Sequence, residues 1–542
     1  MPQHCAGDVV DATLLARMKS QLTHTVPVNS RNKAGPREME TQAKFWEFDW
    51  VCVDQETIVV YDPKQMADVP IDGVHRRRPI SADEQLPKLD FSKDDYYFRQ
   101  ATPKLAQDTL AALGHQDAAT MSDPSPIILG HKHTQYNTRS EIPVRLASPD
   151  EMRQLSSPFS RCTIPLVFHT LWLHNLNEWF VRAPVAFHKY QKAGLLPKEL
   201  SITLFSPLKI PVPNFNKIAL RPFSHYDVTS FADFSARRPE STPSNATAEG
   251  THKRCFRKLL VWRDTRENRP AAPALGPLLL DFHANHLAHF DRTLPPMWKS
   301  DAPSHMRILV EQRARYGHTR QFLDFPALLT ACNAPSAVTT LHRHIEGAAP
   351  AKRSFSTVEC VSHEFGAHPA GFLHDMWAMR KVDVFVTFHG AGQMNAIFLP
   401  LHSSMVEVRG INASMNLADH WHPQISRGSH FQYFWWGLIA QDPAYVERSG
   451  LDSAGFYGDA DHGNWKAFMF RKRDQNVRLT WPHLSFMLRH IVQVDRNATL
   501  FANMFGKFFE YYNGGRGHSG VVYEIRQGYR VPQLHKVATP HG

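Results

Sequence analysis

The chain has 542 residues, 42% of them hydrophobic and 21% charged, a composition typical of globular proteins and a length that predicts about two to four domains. Its formal charge of +10 comes from 61 basic and 51 acidic residues spread along the chain without a zinc-finger, RNA-recognition or basic-zipper pattern, so nucleic acid is not an expected partner. No apolar run reaches the about 18 residues of a transmembrane segment, and the six cysteines contain no CxxC pair of the kind that binds structural zinc.

The first part of the chain is rich in proline, aspartate and lysine and has few strand candidates. Two short apolar runs, Val51 to Val53 and Ile58 to Tyr61, are predicted strands. Residues 1–155 are therefore interpreted as a partly disordered N-terminal extension that contains one small packed element.

Helices and strands alternate from Pro165 onwards. The predicted elements of the first half are a helix from Trp172 to Lys192 kinked at Pro184, strands from Ser201 to Phe205 and Lys258 to Trp262, and a helix from Leu278 to Phe290. Those of the second half are strands from Arg307 to Glu311, Thr357 to Val361, Val382 to Thr387 and Met405 to Val408, helices from Phe322 to Cys332 and Ala370 to Arg380, and one or two helices within Trp481 to Tyr512. This alternation predicts an α/β protein with two Rossmann-like parallel-sheet domains, residues 156–300 and 301–512, followed by a loose tail of residues 513–542.

The most informative segment is the strand from Val382 to Thr387 and the turn after it. His389-Gly390-Ala391-Gly392 follows the strand, and Gln393 to Leu399 is predicted to form a helix that ends at a proline. The first backbone N–H groups of a helix have no partner within it and lie at its positive end, where anions bind. Gly390 and Gly392 would let the backbone approach a phosphate closely. The segment predicts an anion-binding turn, with a purely structural turn as the alternative.

A longer frame surrounds this turn: an aspartate-led apolar strand, HGAG, an asparagine, a Phe-Leu-Pro and a strand with a glutamate near its end. Its residues are Asp383, His389 to Gly392, Asn395, Phe398 to Pro400 and Glu407. The frame closely resembles the C-terminal signature of glycosyltransferase family 61. Matches at Cys255 to Val261 and Ile308 to Arg320 extend the resemblance over roughly residues 160 to 485.

One segment departs from the family pattern. Where the family has an Asn-x-x-His helix start, this chain has Asn175 followed by Glu178, and Arg182 stands where an acid is usual. The departure concerns the acceptor side of the reaction more than donor binding.

The resemblance implies a GT-B fold, in which two Rossmann-like domains face a cleft. Residues 156–300 would form the acceptor domain and residues 301–512 the nucleotide-sugar domain. The implied activity is an inverting transfer of xylose, arabinose or N-acetylglucosamine from a nucleotide diphosphate to a hydroxyl group of a glycan or glycoprotein. The expected nucleotide is UDP. No cofactor is predicted, and a requirement for a divalent metal stays open.

Such a transfer needs positive charge beside the leaving diphosphate, because the departing group carries most of the negative charge in the transition state. The turn at Gly390 to Gly392 is one predicted source. Arg313, Arg315 and Arg320 follow a predicted strand and are the second, since guanidinium groups bind phosphate by bidentate contacts. Arg313 and Arg315 are two positions apart, so only one of them is expected to face the site.

The remaining site residues are predicted with alternatives. Glu407 would accept two ribose hydroxyls, or else cap or form a salt bridge. His389 would donate to a phosphate or to the transferred sugar, or else cap the turn. Glu178 is the predicted general base for the acceptor, with His174 as the second candidate, and the alternative for Glu178 is an ordinary exposed helix acid.

One histidine-rich stretch is a candidate metal site. Asp281, His283, His286, His289 and Asp291 have helical spacing but lack the HExxH pattern, so they are interpreted as a polar helix surface and no metal is assigned.

Two other functions are alternatives to a glycosyltransferase. An α/β-hydrolase would need a downstream G-x-S-x-G; Gly517 to Gly520 misses that spacing and leaves too few residues for an acid and a histidine. A catalytically inactive glycosyltransferase-like protein that binds nucleotide or glycan is the alternative that stays open, because the segment from Asn175 to Arg182 is altered.

The cellular location is predicted from two conflicting signals. The N-terminus lacks the basic start and apolar centre of a signal peptide, which taken alone predicts a cytoplasmic protein. The resemblance implies the lumen of the endoplasmic reticulum or Golgi. Six cysteines allow a few disulfides, and their number does not decide the compartment.

Overall fold

The structure of the protein is a computed structural model. It describes residues 13–14, 16–17, 44–62, 86, 89–90, 141–155, 159–170, 173, 176, 179–180, 183–206, 212–239, 251–264, 303–313, 320–345, 354–368, 371–410, 433–440, 442–447, 475–501 and 521–525. The chain divides into two compact units, Met1–Pro270 and Ala271–Gly542. Both are α/β units, as predicted, and each is treated separately below.

The first unit is built on a seven-stranded sheet with the strand order β5-β2-β1-β11-β6-β7-β8. The strands of the unit are β1 (Lys44–Asp54), β2 (Thr57–Val60), β3 (Leu89–Asp90), β4 (Glu141–Ile142), β5 (Val144–Leu146), β6 (Ile164–Thr170), β7 (Leu200–Leu204), β8 (Thr229–Ser230), β9 (Arg238–Pro239), β10 (Thr251–His252) and β11 (Arg254–Asp264). Its helices are α1 (Pro149–Arg153), α2 (Pro184–Lys192), α3 (Asn214–Leu220), α4 (Phe231–Ser235) and a 3₁₀ helix, Arg221–Phe223. β3 pairs with β4, and β9 with β10, outside the main sheet.

This sheet corrects two predictions. β1, β2 and β5 lie within the segment predicted as an N-terminal extension, yet they are strands of the main sheet. The sheet is also mixed, because β1 runs antiparallel to both β2 and β11. The connection from β1 to β2 consists of Gln55 and Glu56, both at positive φ, and a two-residue turn of this kind forces the two strands to be antiparallel.

The core of the first unit is fixed by aromatic packing and by one disulfide. Trp262 on β11 contacts Phe168 of β6 and Phe187 of α2, with ring centroids 4.8 and 5.4 Å apart. Cys52 faces Cys255 across the β1–β11 pair and is bonded to it. The disulfide therefore joins β1 to β11 at the centre of the sheet, although β1 lies in the segment that was predicted to be an extension.

The second unit is built on a six-stranded sheet that is parallel throughout, with the strand order β13-β12-β14-β15-β16-β19. Its strands are β12 (His305–Glu311), β13 (Thr357–His363), β14 (Val384–Phe388), β15 (Ser403–Arg409), β16 (Tyr433–Ala440), β17 (Val446–Glu447), β18 (Asn476–Val477) and β19 (Val521–Ile525). Its helices are α5 (Phe325–Cys332), α6 (Ser336–His342), α7 (Phe372–Met379), α8 (Trp481–Val494) and two 3₁₀ helices, Ala391–Phe398 and Pro443–Tyr445. β17 and β18 form a separate pair.

Helices cover both faces of this sheet, which is the layering expected of a Rossmann-like unit. Val384 and Val386 of β14 belong to one buried cluster with residues of α5, α6 and α8. Phe385 points to the other face, since side chains alternate along a strand, and there it contacts Phe365 at 5.6 Å between ring centroids. On that same face α7 meets the 3₁₀ helix Ala391–Phe398.

Two features of the second unit differ from prediction. Val521–Ile525 forms β19 and pairs in parallel with β16, although residues 513–542 were predicted to be a loose tail. β16 itself, Tyr433–Ala440, was not predicted. The predicted helix from Leu278 to Phe290, and with it the histidine-rich stretch, lies outside the described residues.

Disulfides are present in both units. Besides Cys52–Cys255, Cys332 at the end of α5 is bonded to Cys360 of β13, and Cys162 is disulfide-bonded as well. None of the described helices combines the length and the hydropathy needed to cross a lipid bilayer.

Removal of the second disulfide should lower stability. Cys332 and Cys360 are 28 positions apart, and a loop of this length restricts the unfolded chain by about 3.6 kcal/mol in the chain-entropy account. We expect the double variant Cys332→Ala/Cys360→Ala to unfold at a lower urea concentration than the wild type. Equal urea midpoints of the variant and the wild type, measured without a reductant, would contradict this expectation.

The stability should also depend on pH through His490 of α8. Burial, followed by the charge of Arg489, lowers the pKa of His490 to about 4. An unfolded histidine titrates near about pH 6.5, so between these values the unfolded chain binds a proton that the folded chain does not, and folding becomes less favourable as the pH falls. The variant His490→Gln should therefore lose less thermal stability than the wild type between about pH 7 and about pH 4.5. Parallel plots of Tm against pH would refute the assignment.

Candidate functional site

The carboxyl ends of β12, β14 and β15 bring several polar side chains to one edge of the second sheet. β14 lies between β12 and β15 and is parallel to both. Glu311 ends β12, His389 follows β14, and Glu407 lies two residues before the end of β15. In open parallel sheets ligands bind at this edge. The anion-binding turn and the arginines are predicted to lie at the same edge.

The HGAG bend is anchored on both sides and partly exposed between them. All five residues of β14 are buried, and so are Met394, Ile397 and Phe398 in the 3₁₀ helix after the bend. The four residues His389 to Gly392 are each partly exposed. The bend is thus held by two buried elements while its own backbone reaches the surface of the unit.

The helix after the bend is a 3₁₀ helix, Ala391–Phe398, where an ordinary helix from Gln393 to Leu399 was predicted. Its hydrogen bonds run from Gln393 N–H to Gly390 O at 3.1 Å and from Leu399 N–H to Ala396 O at 3.1 Å. The side-chain amide of Asn395 adds a bond to Gly392 O at 3.0 Å, which closes the first turn over the same three-residue span.

Two of the three predicted arginines converge on Gly390. Gly390 has a φ of 151°, and a Cβ at this position would collide with Nη1 of Arg320 and lie 3.2 Å from Nη1 of Arg313. Nη1 of Arg320 also donates to the carbonyl oxygen of His389 at 2.8 Å. Glycine is required here both by the backbone conformation and by the guanidinium groups that occupy the place of a side chain. Arg315 lies outside the described residues.

A buried carboxylate that the sequence did not single out lies on the other side of the bend. Glu311 is 3% exposed, and a Cβ on Gly392 would collide with its carboxylate. The hydroxyl of Thr387 donates to Glu311, and Nη1 of Arg313 lies 3.7 Å from the same carboxylate. Glu311 therefore offsets part of the positive charge beside the bend.

Glu407 has the structural role that was the alternative to ribose binding. It is 1% exposed and accepts from Trp435 Nε1 at 2.7 Å and Arg409 Nε at 2.6 Å, while its Oε1 lies 2.8 Å from His389 Nδ1. Both carboxylate oxygens are thus occupied by protein groups. Ribose binding by Glu407 would require this buried network to open, so the geometry favours the salt-bridging interpretation.

Asp383, the aspartate at the start of the resembling frame, lies at the opposite edge of the sheet. It accepts the backbone N–H of Arg307 at 2.9 Å and pairs with Arg496 at 2.8 Å. It therefore fastens the amino end of β14 to β12.

The acceptor side of the predicted site falls outside the description. His174 and Glu178 are not among the described residues, so the predicted general base is not located. At the carboxyl edge of the first sheet, Asp264 of β11 is 6% exposed and pairs in register with Thr170 of β6.

A second cluster at the same edge of the second sheet was missed by sequence reasoning. His363 at the end of β13 lies 2.9 Å from Asp375 of α7, and His374 stands next to them. Burial, followed by the charges of His368 and His363, lowers the pKa of His374 to about 4. His363 and Asp375 belong to different elements, so no fixed sequence spacing indicates that they meet.

Comparison with known proteins adds no assignment. No family model matches the chain, and no curated protein is significantly similar to it.

The Glu407 network gives a prediction about stability. Glu407→Gln removes the negative charge that faces Arg409, which is 4% exposed, and leaves a buried guanidinium without its counter-charge. We expect the free energy of unfolding to fall by about 3 kcal/mol, measured by urea denaturation. The matched control is Glu447→Gln, because the Glu447 side chain is 57% exposed and its pairing contributes little. Equal effects of the two substitutions would disprove the role of Glu407.

Proposed function

We propose that the chain is an inverting glycosyltransferase that uses a nucleotide diphosphate sugar, and that the HGAG bend binds the diphosphate of the donor. The observation that carries the proposal is the convergence of Arg313 and Arg320 on Gly390, at the carboxyl edge of a parallel sheet. The resemblance to glycosyltransferase family 61 supports the same assignment.

The charges around the bend suit a diphosphate. Two guanidinium groups lie against one glycine, and their mutual repulsion falls when an anion lies between them. Backbone N–H groups at the start of the 3₁₀ helix add dipoles directed at the same place. During sugar transfer the negative charge on the leaving diphosphate grows, so these groups stabilise the transition state more than the bound donor.

The wider features of the family complete the proposal. They are a GT-B arrangement of the two Rossmann-like units, a UDP-linked xylose, arabinose or N-acetylglucosamine as donor, and a hydroxyl of a glycan or glycoprotein as acceptor. Inversion means one in-line displacement, in which the acceptor oxygen bonds to the anomeric carbon as the bond to the diphosphate breaks.

The secretory pathway is the proposed location. Five disulfide-bonded cysteines support it, since disulfides persist in oxidising compartments and are rare in the cytosol. They are the pairs Cys52–Cys255 and Cys332–Cys360, and Cys162.

The test is release of free UDP by the purified full-length chain incubated with UDP-xylose, UDP-arabinose or UDP-N-acetylglucosamine. We expect release with one of these donors, and a loss of about 100-fold in Arg320→Ala, since Arg320 would face the leaving group. Binding of UDP, measured by the shift in Tm, should weaken in the same variant.

The matched control is Arg489→Ala. Arg489 is an arginine of the same unit that donates to the carbonyl oxygens of Arg343 and His344, away from the bend. Turnover should be unchanged in this variant. Tight UDP binding without release of UDP from any donor would favour the inactive binding protein over the enzyme. The absence of any UDP binding would exclude both functions.

A further inference from the structure

Three side chains of the second unit converge at the carboxyl end of β13. They are His363, the last residue of that strand, and His374 and Asp375 in the first turn of α7. Each offers one potential ligand atom, and these atoms all lie within 4.8 Å of one another. The closest pair is Nε2 of His363 and Oδ1 of Asp375, at 2.9 Å.

The convergence is held in place by its surroundings. His363 is 5% exposed and Asp375 is 4% exposed. The second oxygen of Asp375 accepts the backbone N–H of Gly366 at 2.9 Å, which fixes the carboxylate from the side of the loop after β13. The ring of His368 stacks on that of His374, with centroids 3.9 Å apart and planes inclined by 11°. Both histidines of the cluster therefore have restricted ring orientations.

His374 supplies a second, independent observation that points to a ligand. Its Nδ1 is buried and has no hydrogen-bonding partner among the described residues. A buried polar atom without a partner is energetically unfavourable, so such an atom in a cluster of ligand-type side chains calls for an electron-pair acceptor or a proton donor.

The donor set selects the class of ligand. Two imidazoles and one carboxylate are the ligands of Zn²⁺ and other first-row divalent transition metals, whereas Mg²⁺ and Ca²⁺ prefer oxygen ligands throughout. With metal–ligand bonds of about 2.1 Å, the ligand atoms of a tetrahedral site lie about 3.4 Å apart. The three ligand atoms here all lie within 4.8 Å of one another, a range that includes this spacing.

We propose that His363, His374 and Asp375 form a binding site for a divalent transition-metal ion of the Zn²⁺ class. Three protein ligands leave one position for water or for another oxygen ligand. The ion ties the first turn of α7 to the end of β13 and to the loop that contains Gly366. This site does not depend on the proposed glycosyltransferase activity.

The test uses the purified full-length chain after treatment with a chelator. Titration with Co²⁺ should give the visible absorption of a low-symmetry Co²⁺ complex, saturating at one ion per chain, and Zn²⁺ added afterwards should displace it. Calorimetric titration with Zn²⁺ should show one tight class of sites. His374→Ala and Asp375→Asn should each weaken this binding by at least about tenfold.

The matched control is His305→Ala. His305 begins β12, at the opposite edge of the same sheet, and its removal should leave the tight site intact. Far-ultraviolet circular dichroism shows whether each variant is folded, and His374→Gln provides a second variant of similar size. If the wild type binds Co²⁺ and Zn²⁺ no more tightly than the folded His374 variants, the proposal is overturned. UDP binding is measured separately, so loss of one result leaves the other standing.

Discussion

The geometry of the HGAG bend depends on the buried carboxylate of Glu407. It joins His389, at the start of the bend, to Arg409 on its own strand and to Trp435 on the next. Because the group is 1% exposed, water does not compete for these bonds, and loss of Arg409 would leave the buried carboxylate without its counter-charge. The bond to Glu407 also assigns the proton of a neutral His389 to Nδ1, so that Nε2 is then an acceptor. His389 can donate from Nε2 only as the imidazolium. A hydrogen bond from Nε2 to a phosphate oxygen therefore requires protonated His389.

Glycine at positions 390 and 392 leaves space for charged groups, in addition to permitting the backbone of the turn. Arg313 and Arg320 occupy the space of a side chain on Gly390, and Glu311 occupies the space of a side chain on Gly392. Charged protein groups of both signs therefore lie against the two glycines of the bend. Preorganised charges make electrostatic stabilisation effective, because they do not have to rearrange during a reaction.

The sequence predicted the features that depend on local pattern. β14 and β12 are short β-branched runs, and the bend follows from the glycines, so all three were located within a few residues. The pairing of β1 with β11 was not predicted, because Cys52 and Cys255 are 203 positions apart and no local pattern selects a distant partner. The role of Glu407 was left open for a related reason, since a glutamate near a strand end looks the same whether it faces solvent or a buried arginine. The 3₁₀ form of the helix after the bend depends on tertiary packing and a side-chain bond from Asn395, which periodicity does not reveal.

The histidine cluster and the HGAG bend of the second unit are connected through packed elements. His363 pairs in register with Glu311, so the histidine cluster and the bend share one edge of the sheet. On the face below that edge, Phe372 of α7 contacts Phe398 of the 3₁₀ helix, with ring centroids 5.5 Å apart. Since α7 carries His374 and Asp375, any ion that fixed its first turn would also restrain the helix that supports Gly390. Packed aromatic side chains transmit such restraint because close-packed interiors have little room to absorb it.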